Sequence, residues 1–277
     1  MSQIKAIISD ADGTLVNTVY LIRHGQYEAA AEYLMAKGIP KHEIPDYSDY
    51  VHHLNASVGG STKDTLELTL TDIFGSSRPE ILQSINFDEL DNNLAAIQDH
   101  IAPLYVNPFY GLTELFTWTG VSQIKMGIFT SGNPHHIVRN FGVSLPVLGY
   151  GEIFKMETTP IYERLSSFID RAKSVYGTPD IAIVTCEDVA KTKPEPEGIL
   201  KLFDSLGVKP DEVIVLGDHS YDMQAALAAG AVPVGMAHGF GDPADLTKAG
   251  AIKILDNLLL VPQIIEDHNS GKSKLFD

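Results

Sequence analysis

Cysteine, basic residues and long apolar runs are all scarce in this chain, and each scarcity narrows what it can be. A single cysteine, Cys186, excludes an internal disulfide and favours a reducing compartment. It stands just after a predicted strand, where a small buried hydrophobe is expected rather than a nucleophile. Lysine and arginine number 20 against 36 aspartates and glutamates, a net charge of −16 over 277 residues. Such a charge repels nucleic acid and anionic membrane, and no basic patch offsets it. No apolar run approaches the length of a membrane span, and the amino terminus lacks a basic region followed by a long apolar stretch. The expectation is a cytoplasmic monomer or homodimer that engages neither nucleic acid nor membrane. An anionic substrate must then be captured by a local device, a metal ion or a lysine, working against the global field.

What the chain does have is hydrophobic residues enough (44%) to fill the core of one large domain or of a domain with an insertion. Short apolar runs recur at Ile4 to Ile8, Met126 to Phe129, Ile181 to Thr185 and Val213 to Leu216, each followed by a polar loop and a helical segment. This alternation predicts a doubly wound parallel α/β sheet with right-handed crossovers. Ala231 to Gly235 reads as a fifth strand, placed at an edge because Pro233 cannot donate to a ladder, and Ile252 to Leu255 as a sixth. The connection from Pro146 to Gly177 is long, and Ile161 to Tyr176 within it reads as an extra helix.

Between Thr18 and Pro108 the pattern changes class. Helical spacing predicts helices over 17–37, from Ser61 and Thr62 to Gly75, and over 87–100, while Tyr47 to Gly60 reads as irregular. The expected organisation is an α/β core of residues 1–17 and 105–277 interrupted by an all-helical insertion, 18–104.

Chemistry gathers at strand ends. The first strand stops at Asp10-Ala11-Asp12-Gly13-Thr14, delivering two carboxylates to the end of the sheet where ligands bind in open α/β folds. A calcium loop is excluded, because Gly13 comes too early for the EF-hand pattern. The second strand ends in Thr130-Ser131-Gly132-Asn133-Pro134, which suits either anion binding at a helix start or ordinary capping. After the third comes Lys191-Thr192-Lys193-Pro194-Glu195-Pro196, where the prolines stiffen the backbone behind Lys193. The fourth ends in Gly217-Asp218, with Asp222 one helical turn later, so that both carboxylates face one point. Clustered carboxylates need a cation between them, and the hard divalent ion suited to oxygen ligands and phosphate is magnesium.

In this order Asp10-x-Asp12-Gly13-Thr14, Thr130, Lys193-Pro-x-Pro and Gly217-Asp218-x-x-x-Asp222 resemble the four motifs of the haloacid dehalogenase superfamily of phosphotransferases. The helical block resembles the cap of its phosphoglycolate phosphatase and β-phosphoglucomutase branch. The resemblance implies a Rossmann-like core and hydrolysis of a small phosphorylated metabolite. Asp10 would be the nucleophile, forming an aspartyl phosphate, and Asp12 the acid and base. Magnesium would be held by the Asp10 carboxylate, the Asp12 carbonyl and Asp218, with Asp222 orienting Lys193 or a metal-bound water. Thr130, Lys193, Ser131, Gly13 and Thr14 would surround the phosphoryl group, while Gly59, Gly60 and Lys63 are candidates for contact with the leaving group, the glycines serving equally well as a plain turn. The carboxylate of Asp12 favours phosphate chemistry over dehalogenation or phosphonate hydrolysis. Ile22, where related mutases carry histidine, favours hydrolysis over a phosphomutase. A non-catalytic binding protein is the remaining alternative, disfavoured because all four motif carboxylates are kept.

Overall fold

A computed structural model describes residues 2–145 and 159–273. The chain divides into two compact units, one of residues 1–17 and 107–277 and one of residues 18–106.

The first unit is built on a six-stranded parallel sheet of β1 (Ala6–Ser9), β4 (Lys125–Phe129), β5 (Ile181–Val184), β6 (Val213–Gly217), β7 (Val232–Met236) and β8 (Lys253–Leu255), in the order β5-β4-β1-β6-β7-β8. β1 is apolar throughout because it lies inside the sheet: Ile8 pairs with Gly127 of β4 on one side and Val215 of β6 on the other. The chain runs outward from β1 to β4 and β5, then returns to place β6 against the opposite side of β1. Strand order therefore reverses at β1, and the crevice beyond its carboxyl end is the switch point at which α/β sheets bind ligands. Helices α9 (Glu197–Leu206) and α10 (Ser220–Ala229) bury Ile199, Leu202, Leu206, Ala225 and Ala226 with Ala6, Ile8 and Val215 in one core. Among the described residues, the other α-helices of this unit are α6 (Leu112–Ser122), α7 (Pro134–Ser144), α8 (Ile161–Tyr176), α11 (Pro243–Lys248) and α12 (Leu260–Asn269). A two-residue ribbon, β2 (Val16–Asn17) antiparallel to β3 (Asn107–Pro108), lies where the chain leaves and re-enters this unit, and α7 packs on it.

The second unit is helical: α1 (Val19–Ala36), α2 (Tyr47–Ser57), α3 (Thr62–Phe74), α4 (Pro79–Ser84) and α5 (Phe87–Tyr105). They enclose a core that includes Ala30, Leu34, Leu54, Leu66, Leu70, Leu90 and Leu94. Side-chain caps start three of them, as Asp46, Ser61 and Asn86 accept from backbone N–H groups of α2, α3 and α5.

Several local expectations are corrected. Tyr47 to Ser57 is helix, because Tyr50 and Leu54 at i and i+4 anchor it and Asp46 caps it, although polar neighbours dilute the apolar stripe. α4 and α6 lie where no helix is expected, and α5 runs five residues beyond His100, its last ring, Tyr105, lying 4.3 Å from that of Tyr20. β7 is an interior strand, between β6 and β8. The Pro233 carbonyl accepts from Ile252 N–H, so its donorless nitrogen faces the β8 side before pairing begins at Val234 and Lys253, and no ladder bond is lost. Cys186 is half-buried, since it opens a one-turn helix beyond β5. Of the segment 146–177, the expected helix at Ile161–Tyr176 is present and residues 146–158 lie outside those described.

Candidate active site

Three buried carboxylates meet at the switch point. Asp10 follows β1 directly and extends its pairing, its N–H donating to the Leu216 carbonyl at 2.9 Å. Asp218 follows β6, and Asp222 lies in the first turn of α10, with its Oδ2 accepting from the His219 N–H at 3.0 Å. Ligand oxygens of Asp10, Asp218 and Asp222 lie within 4.8 Å of one another. Into the same space reaches Lys193, whose Nζ donates to Asp10 Oδ1 at 2.5 Å and to Asp222 Oδ1 at 2.8 Å. Its ammonium also lies 5.5 Å from the centre of the Phe129 ring, and the Lys193–Pro194 peptide is cis.

With every group ionised, three carboxylates and one ammonium leave two uncompensated negative charges in a buried place. The titration behaviour follows. Burial pushes Asp218 up to about 7, reinforced by Asp222 and opposed by its hydrogen bonds to Thr14 and Phe240 and by Lys193. Burial likewise pushes Asp10 up, against the pull of Lys193 and with repulsion from Asp222 and Asp218. For Lys193 burial favours the neutral amine, yet Asp10 and Asp222 together outweigh it and hold the ammonium above its ordinary range. Lysine therefore keeps its proton, and the cluster remains short of positive charge. An all-oxygen donor set with an excess of two negative charges fits a hard divalent cation such as magnesium.

Asp218 is the most constrained of the three. Thr14 Oγ1 donates to its Oδ1 at 2.7 Å and the Phe240 N–H to its Oδ2 at 2.6 Å. The carboxylate lies so close to two glycines that a Cβ would fall 2.0 Å from Oδ2 at Gly239 and 2.4 Å at Gly13, where φ is +85°. Thr14, expected at the phosphoryl group, thus spends its hydroxyl on Asp218. The same loop carries His238, stacked on Phe109 at 3.8 Å, with Nε2 2.9 Å from the Thr14 carbonyl oxygen.

Thr130 lies at the carboxyl end of β4 and is buried, and its Oγ1 accepts from Gly132 N–H at 2.9 Å. Asn133 is the cap of α7, accepting from the His136 N–H at 3.0 Å, and Ser131 lies in the same turn, half-buried. The Asp12 carboxylate is not part of the three-carboxylate cluster: its Oδ1 accepts from Asn140 Nδ2 at 2.7 Å. Gly59, Gly60 and Lys63 belong to the helical unit, where Lys63 Nζ donates to Asp88 Oδ1 at 2.7 Å and lies 4.0 Å from Glu67. The residues that sequence reasoning misses are Phe240, Gly239 and Asn140. Each meets a motif carboxylate from a distant segment, and the one local signal, Gly239 and Gly241 flanking an aromatic just after a strand, is weak.

A parallel α/β sheet that presents a lysine-bound, cation-deficient cluster of aspartates at its switch point defines the class of fold and site. The chain belongs to the haloacid dehalogenase-like hydrolases, whose family model matches residues 4–230. It is 31% identical over 121 residues to a phosphoglycolate phosphatase of Escherichia coli (strain K12), a stretch that makes up 43% of this chain and 46% of that protein. The match thus spans less than half the length of that curated relative. Among solved structures, a hydrolase from Pseudomonas syringae aligns over 95% of this chain and 98% of its own with a TM-score of 0.63 and 24% identity. A predicted phosphoglycolate phosphatase from Haemophilus somnus 129PT covers 95% and 99% with a TM-score of 0.66 at 16% identity. At these identities the two structures establish a shared fold.

Proposed function

We propose that this protein is a magnesium-dependent phosphatase that hydrolyses a small phosphate monoester through a phosphorylated Asp10. The observation that carries the proposal is the contact of Asp10, at the end of the central strand, with Lys193 inside a cluster two positive charges short of neutrality. An anionic ester cannot approach such a cluster unaided. Magnesium, held by the carboxylates of Asp10 and Asp218 and the carbonyl of Asp12, supplies the neutralising charge when bound.

Lys193 lies on the nucleophile itself, where its charge also meets the equatorial oxygens of a transferring phosphoryl group. Asp222 holds Lys193 from the other side. An Asp10 oxygen attacks phosphorus in line while the ester bond breaks, and Asp12 gives its proton to the departing alkoxide. Asp12, now ionised, takes a proton from water as that water attacks the aspartyl phosphate, releasing phosphate and restoring Asp10. Thr130 and the turn after it close the phosphoryl side of the site. The helical unit is the part of the chain to which we assign substrate choice, and a reducing, cytoplasmic setting suits the single cysteine.

Release of inorganic phosphate from a panel of sugar, glycolyl, nucleotide and aryl phosphates, with magnesium or with chelator, tests this reading. Turnover that needs magnesium and disappears in Asp10→Asn supports it. A well-folded protein that releases phosphate from none of them contradicts it, and isomerisation of a sugar phosphate with the phosphate retained would mark a mutase.

A further inference from the structure

The geometry points to Asn140 as the positioning residue for Asp12, with Arg139 fixing the direction in which Asn140 donates. This inference rests on the acid and base role proposed for Asp12.

Asp12 is separated from Asn140 by 128 residues, yet Asn140 Nδ2 donates to Asp12 Oδ1 at 2.7 Å. The next link is local: Arg139 Nε donates to Asn140 Oδ1 at 2.9 Å. An arginine side chain has donors and no acceptor, so the amide edge that faces Arg139 must be the oxygen. The edge that faces Asp12 is then the NH₂ group, and the assignment follows from chemistry rather than from choice between two similar atoms. Both side chains are buried, Arg139 at 1% and Asn140 at 3% exposure, which removes the water that would otherwise compete for these bonds.

Taking a guanidinium out of water is costly unless it is paired and hydrogen-bonded, and the bond to Asn140 is one of the contacts that hold Arg139 in place. What the pair achieves is a fixed distance between α7 and the Asp12 loop. α7 begins just after Thr130 and packs on the β2–β3 ribbon, so one short helix spans from the phosphoryl side of the site to the acid and base. A carboxylate that must first give a proton to the departing ester oxygen and then take one from the attacking water, in line on the same side of phosphorus, needs a fixed orientation. Misplacement by about 1 Å in such a group costs on the order of 100-fold in rate.

The test compares wild type with Asn140→Leu and Asn140→Asp. Leu removes the donor with little change of size. Asp keeps the bond from Arg139 and the shape but turns an oxygen towards Asp12, so it serves where the Leu variant fails to fold. kcat/KM is measured with magnesium on 4-nitrophenyl phosphate, whose leaving group departs without a proton, and on a simple alkyl phosphate, whose alkoxide needs one. kcat/KM reports transfer to Asp10 and leaves out the later attack of water, so the ratio between the two esters isolates proton donation. We expect the alkyl ester to lose about 30-fold or more in both variants and the aryl ester less than about threefold, with thermal unfolding temperatures that do not track the ratio. Equal losses on the two esters, or an unchanged ratio in variants that fold, would overturn the role of Asn140 while leaving the phosphatase standing. A wild type that hydrolyses neither ester would instead overturn the phosphatase reading, and this inference with it.

Discussion

Thr14 and Asp218, 204 residues apart in sequence, meet in a buried hydrogen bond of 2.7 Å, hydroxyl to carboxylate. Together with the Phe240 N–H on the other oxygen, it sets the orientation of Asp218 within the protein itself. Thr14→Val keeps the shape and removes the donor. Outer partners of metal-binding carboxylates typically contribute 10–100-fold in metal affinity. We therefore expect the magnesium concentration for half-maximal activity to rise about tenfold, with kcat at saturating magnesium changed far less. An unchanged magnesium requirement would show that the bond does not prepare the site.

The space around Asp218 admits no side chain at Gly239. Gly239→Ala would place Cβ 2.0 Å from Oδ2, and the carboxylate must move to make room. The expected result is a loss of magnesium-dependent turnover on the order of 100-fold, by displacement of a reacting-site group. Activity within twofold of wild type would mean that the Asp218 rotamer is not needed.

Stability should depend on pH in a direction that metal reverses. The folded-state pKa of Asp218, pushed up to about 7, lies above the ordinary carboxylate value, so the folded protein holds a proton that the unfolded chain releases. Asp10 shifts the same way. The stabilisation is full below the unfolded value, near 4, and is lost as pH rises through about 7. In chelator the unfolding temperature should fall between pH 5 and pH 8.5. Saturating magnesium, which binds the ionised form, should flatten or invert that slope. A metal-free unfolding temperature that rises across this range would contradict the charge imbalance.

Lys193 should matter for the fold as well as the chemistry. Lys193→Met leaves Asp10 and Asp222 buried without their cation, and breaking a buried pair in this way costs about 3–5 kcal/mol. Urea unfolding in chelator would measure it, and part of the loss should return at pH 5, where the carboxylates can take up protons. Stability equal to wild type at pH 8 would contradict the assignment of Lys193 as the cluster's internal counterion.

The parallel sheet and the placement of Asp10, Lys193, Asp218 and Asp222 were legible because both follow local rules. Buried parallel strands read as continuous apolar runs, and their carboxyl ends are marked by an abrupt change to acid, hydroxyl or lysine. Thr14 was visible as a residue of the first motif but not as the partner of Asp218, since nothing near position 14 encodes a residue 204 positions away. Asn140 and Phe240 escaped for the same reason. α2 escaped because its inward stripe consists of Tyr50 and Leu54 only, and β7 was misplaced because proline forbids a donor on one side of a strand, not membership of the sheet interior. Local pattern thus reported which charged groups gather at the end of the sheet, and long-range contact decided how each is held.

Chemical capture of the phosphorylated enzyme tests the central claim most directly. Wild type with magnesium is mixed with a ³²P-labelled aryl phosphate, quenched in acid within the first turnover and digested, and the label is located. A covalent, alkali-labile label on the peptide that contains Asp10, absent from Asp10→Asn, is the predicted result. Magnesium-dependent phosphate release that continues in Asp10→Asn, with no acid-stable label on the wild type, would contradict the account at its core.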